Sequence, residues 1–255
     1  MQTQQLVTKL KTLRMGGMLD TLDARLAQAQ QGQHGYLTFL EWLLEDEIQR
    51  RSQKALSVRL NKARFDEVRS LAEFDFRYNT KIPAELIHDL ARCGFIERRE
   101  SVLIYGPGGV GKSHVAQAIG RTACQKGYSV RYVKTGRMLG DLAGGHVAGN
   151  WGQRMRAYIA PDLLIMDDFG LRDFDAQQSE DLFEPVCERH LKRSTIVVSN
   201  RAPQDWYSLF ANPVLAEGAL DRLVNSAHHV LMQGQSYRPR HRPGQQQEVN
   251  QMITP

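Results

Sequence analysis

The stretch Ser101-Val-Leu-Ile-Tyr-Gly-Pro-Gly-Gly-Val-Gly-Lys-Ser-His114 decides the fold of this chain of 255 residues. It begins with an apolar run that predicts a buried strand, and it ends on the pattern Gly106-x4-Gly111-Lys112-Ser113. Apolar residues at helical spacing follow, starting at Val115. A strand, a glycine-rich loop and a helix in this order predict a loop whose backbone N–H groups surround phosphates at a helix N-terminus.

Each part of this loop has an expected task. The glycines let consecutive N–H groups point at a β-phosphate, Lys112 reaches the β- and γ-phosphates, and the Ser113 hydroxyl ligates Mg²⁺. We therefore predict that the chain binds a nucleoside triphosphate together with Mg²⁺. The expected nucleotide contacts are Gly106, Pro107, Gly108, Gly109, Val110, Gly111, Lys112, Ser113 and His114.

The composition is typical of a globular protein of the cytoplasm. Apolar residues make up 42% of the chain, which is enough for a core, and no run approaches the roughly 18 apolar residues of a membrane-spanning helix. The polar N-terminus has no signal-peptide pattern. The cysteines, Cys93, Cys124 and Cys187, match no zinc-binding spacing and predict reduced thiols. We expect a cytoplasmic protein with no membrane partner.

The net charge of +5 is unevenly distributed along the chain. Between residues 50 and 69 only Asp66 and Glu67 oppose a cluster of basic residues. Such a cluster is typical of contact with a nucleic-acid backbone, although a solvated helix face has the same composition. The predicted DNA contacts are Arg50, Arg51, Lys54, Arg59, Lys62 and Arg64.

The first part of the chain is predicted to be helical. Leucines at helical spacing fill residues 1–30, where Gly16-Gly17 indicates two short helices or one broken helix. Thr38-x-x-Glu41 has the pattern of a capping box and predicts a long helix through about Leu60. Residues 63–82 have mixed character and are interpreted as a connector that lies on the next domain.

Strands and helices alternate from residue 101 onward, which predicts an α/β fold with a mostly parallel sheet and helices on both faces. Strands are expected at 101–105, 128–133, 162–166, 194–199 and 228–232. Helices are expected near 83–93, 112–126, 136–143, 151–159, 176–191, 203–210 and 214–224, with Gly127 ending the second of them. The predicted domains are a helical one over 1–68, a nucleotide-binding one over 69–243 and a disordered tail over 244–255.

Two of these strands end in polar residues that suit hydrolysis of a phosphate bond. Asp167 and Asp168 follow a buried apolar run, where the first carboxylate would hold Mg²⁺ and the second would orient or deprotonate a water. Asn200 follows the next strand and would polarise the same water, or it simply ends the strand and begins a turn.

Arginines follow near the end of the predicted domain. Arg222 could stabilise the charge on a phosphoryl group bound by a neighbouring copy of the chain. A surface ion pair with Asp221 or Glu217 is the alternative for that residue. Arg238 lies near the edge of the sheet, and His228-His229 is interpreted as part of an edge strand, because it has no metal-binding context.

These motifs together resemble the AAA+ family, and specifically its DnaC/IstB-like branch. The resemblance covers roughly residues 5–243. In the nucleotide-binding domain it rests on Gly106–His114, Leu164-Ile-Met-Asp-Asp-Phe-Gly170, Val198-Ser-Asn200, Ala219-Leu-Asp-Arg-Leu-Val224 and Gly234-Gln-Ser-Tyr-Arg238. In the N-terminal region, Leu10-Lys-Thr-Leu-Arg-Met-Gly-Gly-Met18 and Arg59-Leu-Asn-Lys-Ala-Arg-Phe65 resemble IstB, the ATP-binding helper of bacterial insertion-sequence transposases.

The resemblance implies a P-loop AAA+ domain with a parallel five-stranded sheet behind a small all-α N-terminal domain. It implies an ATPase that uses ATP and Mg²⁺, forms homo-oligomers on double-stranded DNA, and recruits or stimulates a partner transposase in transposition. Carried over by residue, Asn200 matches the first sensor and Arg222 the trans-acting arginine. The sequence ends soon after Arg238, so we expect no C-terminal helical lid.

Two other functions are compatible with the same loop. In a DnaC-like replicative helicase loader, residues 1–80 would bind a helicase. The basic residues in this region favour binding to duplex DNA instead. A metabolic phosphoryl-transfer enzyme would act as a monomer on a small molecule, and the combination of Asn200 and Arg222 argues against it.

Overall fold

The computed structural model describes residues 2–237, so the predicted tail over 244–255 and Arg238 lie outside the described residues. The chain forms two compact units that divide between Val58 and Arg59. This division falls earlier in the chain than the domain boundary expected after residue 68, which stays a prediction.

The first unit is helical and has a small apolar core of its own. Its helices are α1 (Gln2–Thr12), α2 (Gly16–Gln31) and most of α3 (Tyr36–Ala63). The core contains Leu10, Met18, Leu22 and Leu43. Gly17 allows α2 to approach α3 closely, because a Cβ at this position would lie 2.6 Å from the carbonyl oxygen of Asp46. The Gly16-Gly17 pair therefore begins the second of two separate helices.

The capping box predicted at Thr38 is wrong. Helix α3 begins at Tyr36, and the N–H of Phe39 already donates to the carbonyl oxygen of Gly35 at 3.2 Å. Thr38 and Glu41 consequently lie inside the helix, whereas a capping side chain must stand at its non-helical start.

The second unit contains the five strands and the remaining helices. The strands are β1 (Ser101–Tyr105), β2 (Val130–Lys134), β3 (Leu163–Phe169), β4 (Ser194–Ser199) and β5 (Ala227–Leu231). The helices are α4 (Ala84–Ala91), α5 (Gly94–Glu97), α6 (Lys112–Gln125), α7 (Thr135–Val147), α8 (Trp151–Ile159), α9 (Ala176–Arg189) and α10 (Pro213–Val224). Two 3-10 helices cover Leu71–Glu73 and Pro203–Leu209, the second where an α-helix was expected.

All five strands pair in parallel, in the order β2-β3-β4-β1-β5, which confirms the predicted sheet. Side chains alternate between the two faces of each strand. Leu103, Leu164 and Val197 belong to the core shared with α7, α8, α9 and α10. Ile165 faces the other side, where a Cβ on Gly120 of α6 would lie 2.6 Å from its Cδ1. Helices therefore cover both faces.

Glycine ends α6 as the sequence predicted. Gly127 has φ +103°, and its N–H donates to the carbonyl oxygen of Cys124 at 3.2 Å. The N–H of Tyr128 donates to the carbonyl oxygen of Ala123 at 3.1 Å, so two carbonyls at the helix end are satisfied by a Schellman-type turn. Gly127 thereby directs the chain from α6 toward β2.

A buried arginine fixes the end of the sheet remote from the phosphate-binding loop. Arg189 is 1% exposed, and burial lowers the pKa of its guanidinium to about 9, so it remains a cation at neutral pH. It donates to the Thr195 hydroxyl and to the carbonyl oxygens of Tyr158, Ile159, Pro161, Asp162 and Ser194. One side chain thus joins the end of α8 to the starts of β3 and β4.

Within residues 2–237 each helix is too short or too polar to cross a lipid bilayer.

Candidate nucleotide site

A cavity of about 680 Å³ opens at the carboxyl ends of the parallel strands. Ligands of open α/β sheets bind at this edge, because the loops that follow the strands meet there. The cavity is lined by the loop over 108–114, by Asp167 and Asp168 near the carboxyl end of β3, and by Asn200 after β4. The structure therefore brings together three of the motifs that the sequence indicated.

Backbone geometry gives the glycine-rich loop its shape. Gly106, Gly109 and Gly111 have φ values of +140°, +82° and +98°. Residues that carry a Cβ rarely adopt this backbone conformation. Helix α6 begins immediately after this turn, so the N–H groups of its first turn face the loop. These features fit a phosphate group bound by backbone donors.

The ammonium group of Lys112 lies inside this loop. The side chain is buried, and Nζ donates to the carbonyl oxygens of Gly106 at 2.8 Å and Pro107 at 2.7 Å. An ammonium in contact with the loop carbonyls is already positioned where phosphate oxygens would bind. Lys112 therefore fits the predicted contact to the β- and γ-phosphates.

Asp167 is held by three hydrogen bonds at the end of β3. Its Oδ2 accepts from the Tyr132 hydroxyl at 2.7 Å, and its Oδ1 accepts from the N–H of Asp168 at 2.8 Å. Its backbone carbonyl accepts from the Thr135 hydroxyl at 2.9 Å. Burial and the neighbouring charge of Asp167 raise the pKa of Tyr132, so that hydroxyl stays protonated and donates. A buried, fixed carboxylate that lines the same cavity as Ser113 suits Mg²⁺.

Asp168 has a different environment from Asp167. Its backbone has φ +54°, and the regular pairing of β3 with β4 is interrupted between Met166 and Phe169. Its Oδ2 forms an ion pair with Lys134 Nζ at 3.0 Å, and the side chain is 33% exposed. The hydrogen bond to Asp168 raises the pKa of Lys134. The two carboxylates are therefore distinct in burial and in partner.

Asn200 is the first residue after β4. The preceding residue fixes the strand end, because the Ser199 hydroxyl donates to the carbonyl oxygen of Phe169 at 2.8 Å and accepts from the N–H of Arg201 at 3.0 Å. Asn200 itself is exposed and lines the same cavity as both carboxylates. This position agrees with its predicted action on water, which stays a prediction.

Arg222 lies on α10 and is not among the residues that line the cavity. Its Nη1 donates to the carbonyl oxygen of Gly218 at 2.5 Å, within the same helix. Among residues 2–237 it forms no ion pair with Asp221 or Glu217. Its predicted role on a neighbouring subunit remains a prediction.

The predicted DNA contacts have different surroundings. Lys54, Lys62 and Arg64 are exposed. Arg51 and Arg50 are also exposed but are paired with the acids Glu47 and Asp20, respectively. Arg59 is half-buried, and its Nε donates to the carbonyl oxygen of Cys124 at 2.9 Å. These side chains therefore have unequal freedom to meet a phosphate.

Residues of the connector over 63–82 also line the cavity, although none was predicted to do so. The ring of Phe74 packs on the loop, where a Cβ on Gly111 would lie 2.5 Å from it. The ring of His114 lies 5.3 Å from Phe74, and its Nε2 is 2.8 Å from the carbonyl oxygen of Ser70. The aromatic residues of the connector are the only sequence feature that indicates packing against the domain. Their presence does not indicate which loop of the domain they contact.

The segment after β5 lies beside the connector residues that line the cavity. The N–H of Tyr237 donates to the carbonyl oxygen of Gly109 at 2.9 Å. The Asn79 amide donates to the carbonyl oxygen of Gln235 at 3.0 Å and accepts from its N–H at 2.9 Å. The Tyr78 hydroxyl donates to the carbonyl oxygen of Ser236 at 3.2 Å. The connector and residues 232–237 are thus joined beside the loop.

The model of the IstB-like ATP binding protein family matches residues 8–244. The chain belongs to this family. An insertion-sequence ATP-binding protein of Mycobacterium tuberculosis is 51% identical over 236 residues, which cover 92% of this chain and 94% of that protein. The ATP-binding protein of insertion sequence IS21 from Pseudomonas aeruginosa is 30% identical over 234 residues, which cover 92% of this chain and 88% of that protein.

Solved structures similar to this member of the IstB-like family have the AAA+ fold. DnaI matches with a TM-score of 0.58 and 17% identity, covering 68% of this chain and 93% of that chain. The DnaC helicase loader matches with a TM-score of 0.52 and 18% identity, covering 58% of this chain and 87% of that chain. At these identities the likeness concerns the fold alone, and it agrees with the predicted AAA+ sheet.

Proposed function

We propose that this IstB-like protein hydrolyses ATP in the cavity beside the glycine-rich loop. The observation that carries the proposal is the meeting of the loop, Asp167, Asp168 and Asn200 around one cavity. The loop N–H groups and Lys112 would bind the phosphates, while Ser113 and Asp167 would hold Mg²⁺. The ion would supply positive charge to the phosphate oxygens.

The remaining side chains would act on the attacking water. Asp168 would orient it and accept its proton, and Asn200 would polarise it. Arg222 of a neighbouring subunit would stabilise the charge that develops on the transferring phosphoryl group. A contribution of Arg222 to a neighbouring site requires a homo-oligomer. Arg222 does not line the cavity of its own chain, which is compatible with such a contribution.

We further propose that the protein is a cytoplasmic, DNA-binding regulator of transposition. The names of its relatives place them in insertion sequences, and a transposase would be its partner. The exposed basic side chains between residues 50 and 64 would contact the phosphates of double-stranded DNA without reading its sequence. ATP-dependent assembly on target DNA would then recruit or stimulate the transposase.

The first experiment removes the ammonium group of the loop. Lys112→Ala should lower ATP hydrolysis by about 100-fold, the scale of losing one electrostatic contact to a reacting group. ATP-dependent association with duplex DNA should disappear with it. Lys81→Ala is the matched control, because this exposed lysine does not line the cavity. Hydrolysis at the parent rate by Lys112→Ala would show that the loop is assigned wrongly.

A second experiment separates transposition from helicase loading. The purified protein, with ATP and duplex DNA, is mixed with the transposase encoded beside its gene and, separately, with a hexameric replicative helicase. Co-sedimentation with the transposase supports the proposal. Co-sedimentation with the helicase alone would favour the DnaC-like alternative.

A further inference from the structure

Lys134 stands between two carboxylates that belong to different parts of the second unit. Its Nζ is 3.0 Å from Asp168 Oδ2, the residue assigned to the attacking water, and 4.0 Å from Asp66 Oδ2 in the connector. An ammonium has three donors and no fixed orientation, so it can move between two such acceptors. Pairing with Asp168 competes with the contact between that carboxylate and water.

Asp66 is held in this position by two further side chains. Its Oδ1 is 3.4 Å from Nη1 of Arg137, the exposed arginine on α7. Its Oδ2 is 3.5 Å from the Tyr132 hydroxyl, which donates at 2.7 Å to Asp167. The carboxylate of Asp66 is consequently placed beside partners of both residues of the acidic pair.

We propose that Asp66 is a positioning residue for ATP hydrolysis, which competes with Asp168 for Lys134 and so leaves Asp168 available to the attacking water. Lys134 is the group through which it acts. Neither Asp66 nor Lys134 is among the residues that line the cavity. The inference rests on the proposed ATPase function and names two residues, one in the connector and one at the end of β2, that the sequence motifs do not include.

The expected effects have opposite signs at the two positions. Asp66→Asn removes the competing negative charge, so Lys134 pairs with Asp168 alone and kcat should fall. Lys134→Met removes the restraint on Asp168, and kcat should rise. Each change should be about two- to five-fold, the scale of a partly exposed ion pair converted to a rate. In the double variant kcat should equal that of Lys134→Met, because Asp66 has nothing left to compete for.

The test measures kcat and KM for Mg-ATP, together with the Kd of a fluorescent ADP analogue, in the wild type, both single variants and the double variant. The Kd of the ADP analogue should be the same in all four proteins. A variant with a distorted nucleotide site would bind the analogue more weakly. Asp66→Glu should restore much of the kcat that Asp66→Asn loses. Asp89→Asn is the matched control, because it makes the same chemical change at an exposed acid on α4. Its kcat should equal that of the wild type.

Three results would overturn the inference. The first is an unchanged kcat in Asp66→Asn. The second is an equal fractional loss from Asp66→Asn whether or not Lys134 is present. The third is a lower kcat in Lys134→Met. A wild-type protein that does not hydrolyse ATP would instead refute the proposed function, so the two failures can be told apart.

Discussion

At the scale of single residues, the adjacent carboxylates Asp167 and Asp168 have different environments. Asp167 is 2% exposed and receives hydrogen bonds from Tyr132 and from the N–H of Asp168. Asp168 is partly exposed and is paired with Lys134. A buried acceptor fixed by donors suits a metal ion, whereas a partly exposed carboxylate with one ammonium partner suits a water.

This difference predicts separate effects for two isosteric changes. Asp168→Asn should leave ATP binding intact and slow hydrolysis by about 100-fold, because general acid–base groups contribute on this scale. Asp167→Asn should weaken the Mg²⁺-dependent part of ATP binding. Equilibrium binding of a fluorescent ATP analogue, with and without Mg²⁺, and single-turnover hydrolysis separate the two. Equal loss of binding in both variants would show that the roles are not divided in this way.

At the scale of secondary-structure elements, an ion pair joins α2 to α3 in the first unit. Arg25 Nη2 lies 2.7 Å from Asp46 Oδ1, and Arg25 Nε and the Thr21 hydroxyl donate to Asp46 Oδ2. The hydrogen bonds from Arg25, and then that from Thr21, lower the pKa of Asp46 from its ordinary 3.8 to about 2.

The lowered pKa predicts how the stability of this helix pair depends on pH. Stabilisation by the Asp46 carboxylate is complete above its unfolded-state pKa near 3.8 and is lost as the pH falls through about 2. Asp46→Asn should therefore be less stable than the wild type near neutral pH, and the gap should close toward pH 2. Urea titrations of the full chain, read by pulsed hydrogen exchange in α2 and α3, measure the gap. A gap that persists unchanged below pH 2 would contradict this account.

At the scale of the whole molecule, the basic residues before the nucleotide-binding domain are predicted to meet DNA. Lys54, Lys62 and Arg64 are the best test positions, because they are exposed and outside the ion pairs that hold Arg50 and Arg51. Arg51 is less suitable, because its removal would leave the carboxylate of Glu47, which is 5% exposed, without a charged partner.

Replacing Lys54, Lys62 and Arg64 with Gln should weaken binding to any duplex sequence alike. It should also reduce the dependence of log Kd on log salt by about 0.9 for each phosphate that the variant no longer neutralises. Gln at Lys81, Arg92 and Lys192 provides a control with the same change in net charge. Binding isotherms over a salt series measure both quantities. A sequence-dependent weakening, or the same weakening in the control, would count against a phosphate-contacting segment.

The predicted action of Arg222 between subunits can be tested by mixing variants. Arg222→Ala lacks the guanidinium that a neighbour would use, and Lys112→Ala lacks the loop ammonium but can still supply Arg222. Mixed oligomers should recover part of the ATPase activity that each variant lacks alone. Light scattering establishes that the two proteins assemble together. Absence of recovery in demonstrated mixed assemblies would argue against a trans-acting arginine.

The sequence determined the elements that depend on local order. The loop with Gly106, Gly111 and Lys112 has a fixed spacing, and apolar runs in alternation with helical patterns predicted all five strands of the sheet within a few residues. The capping box at Thr38 failed for a local reason as well, because two further helical residues precede it. Motifs of this kind can be recognised because the backbone conformation depends on residues close in sequence.

Only the tertiary structure decided which side chains from distant parts of the chain meet around the site. Lys134 reaches Asp168 because β2 pairs with β3. Phe74 and Tyr237 both contact the loop, although they are far apart in the sequence of the second unit. Ion pairs and ring contacts between residues far apart in sequence leave no spacing or periodicity that could be read in advance. They exist because packing the helices on the sheet brings those segments to the same edge.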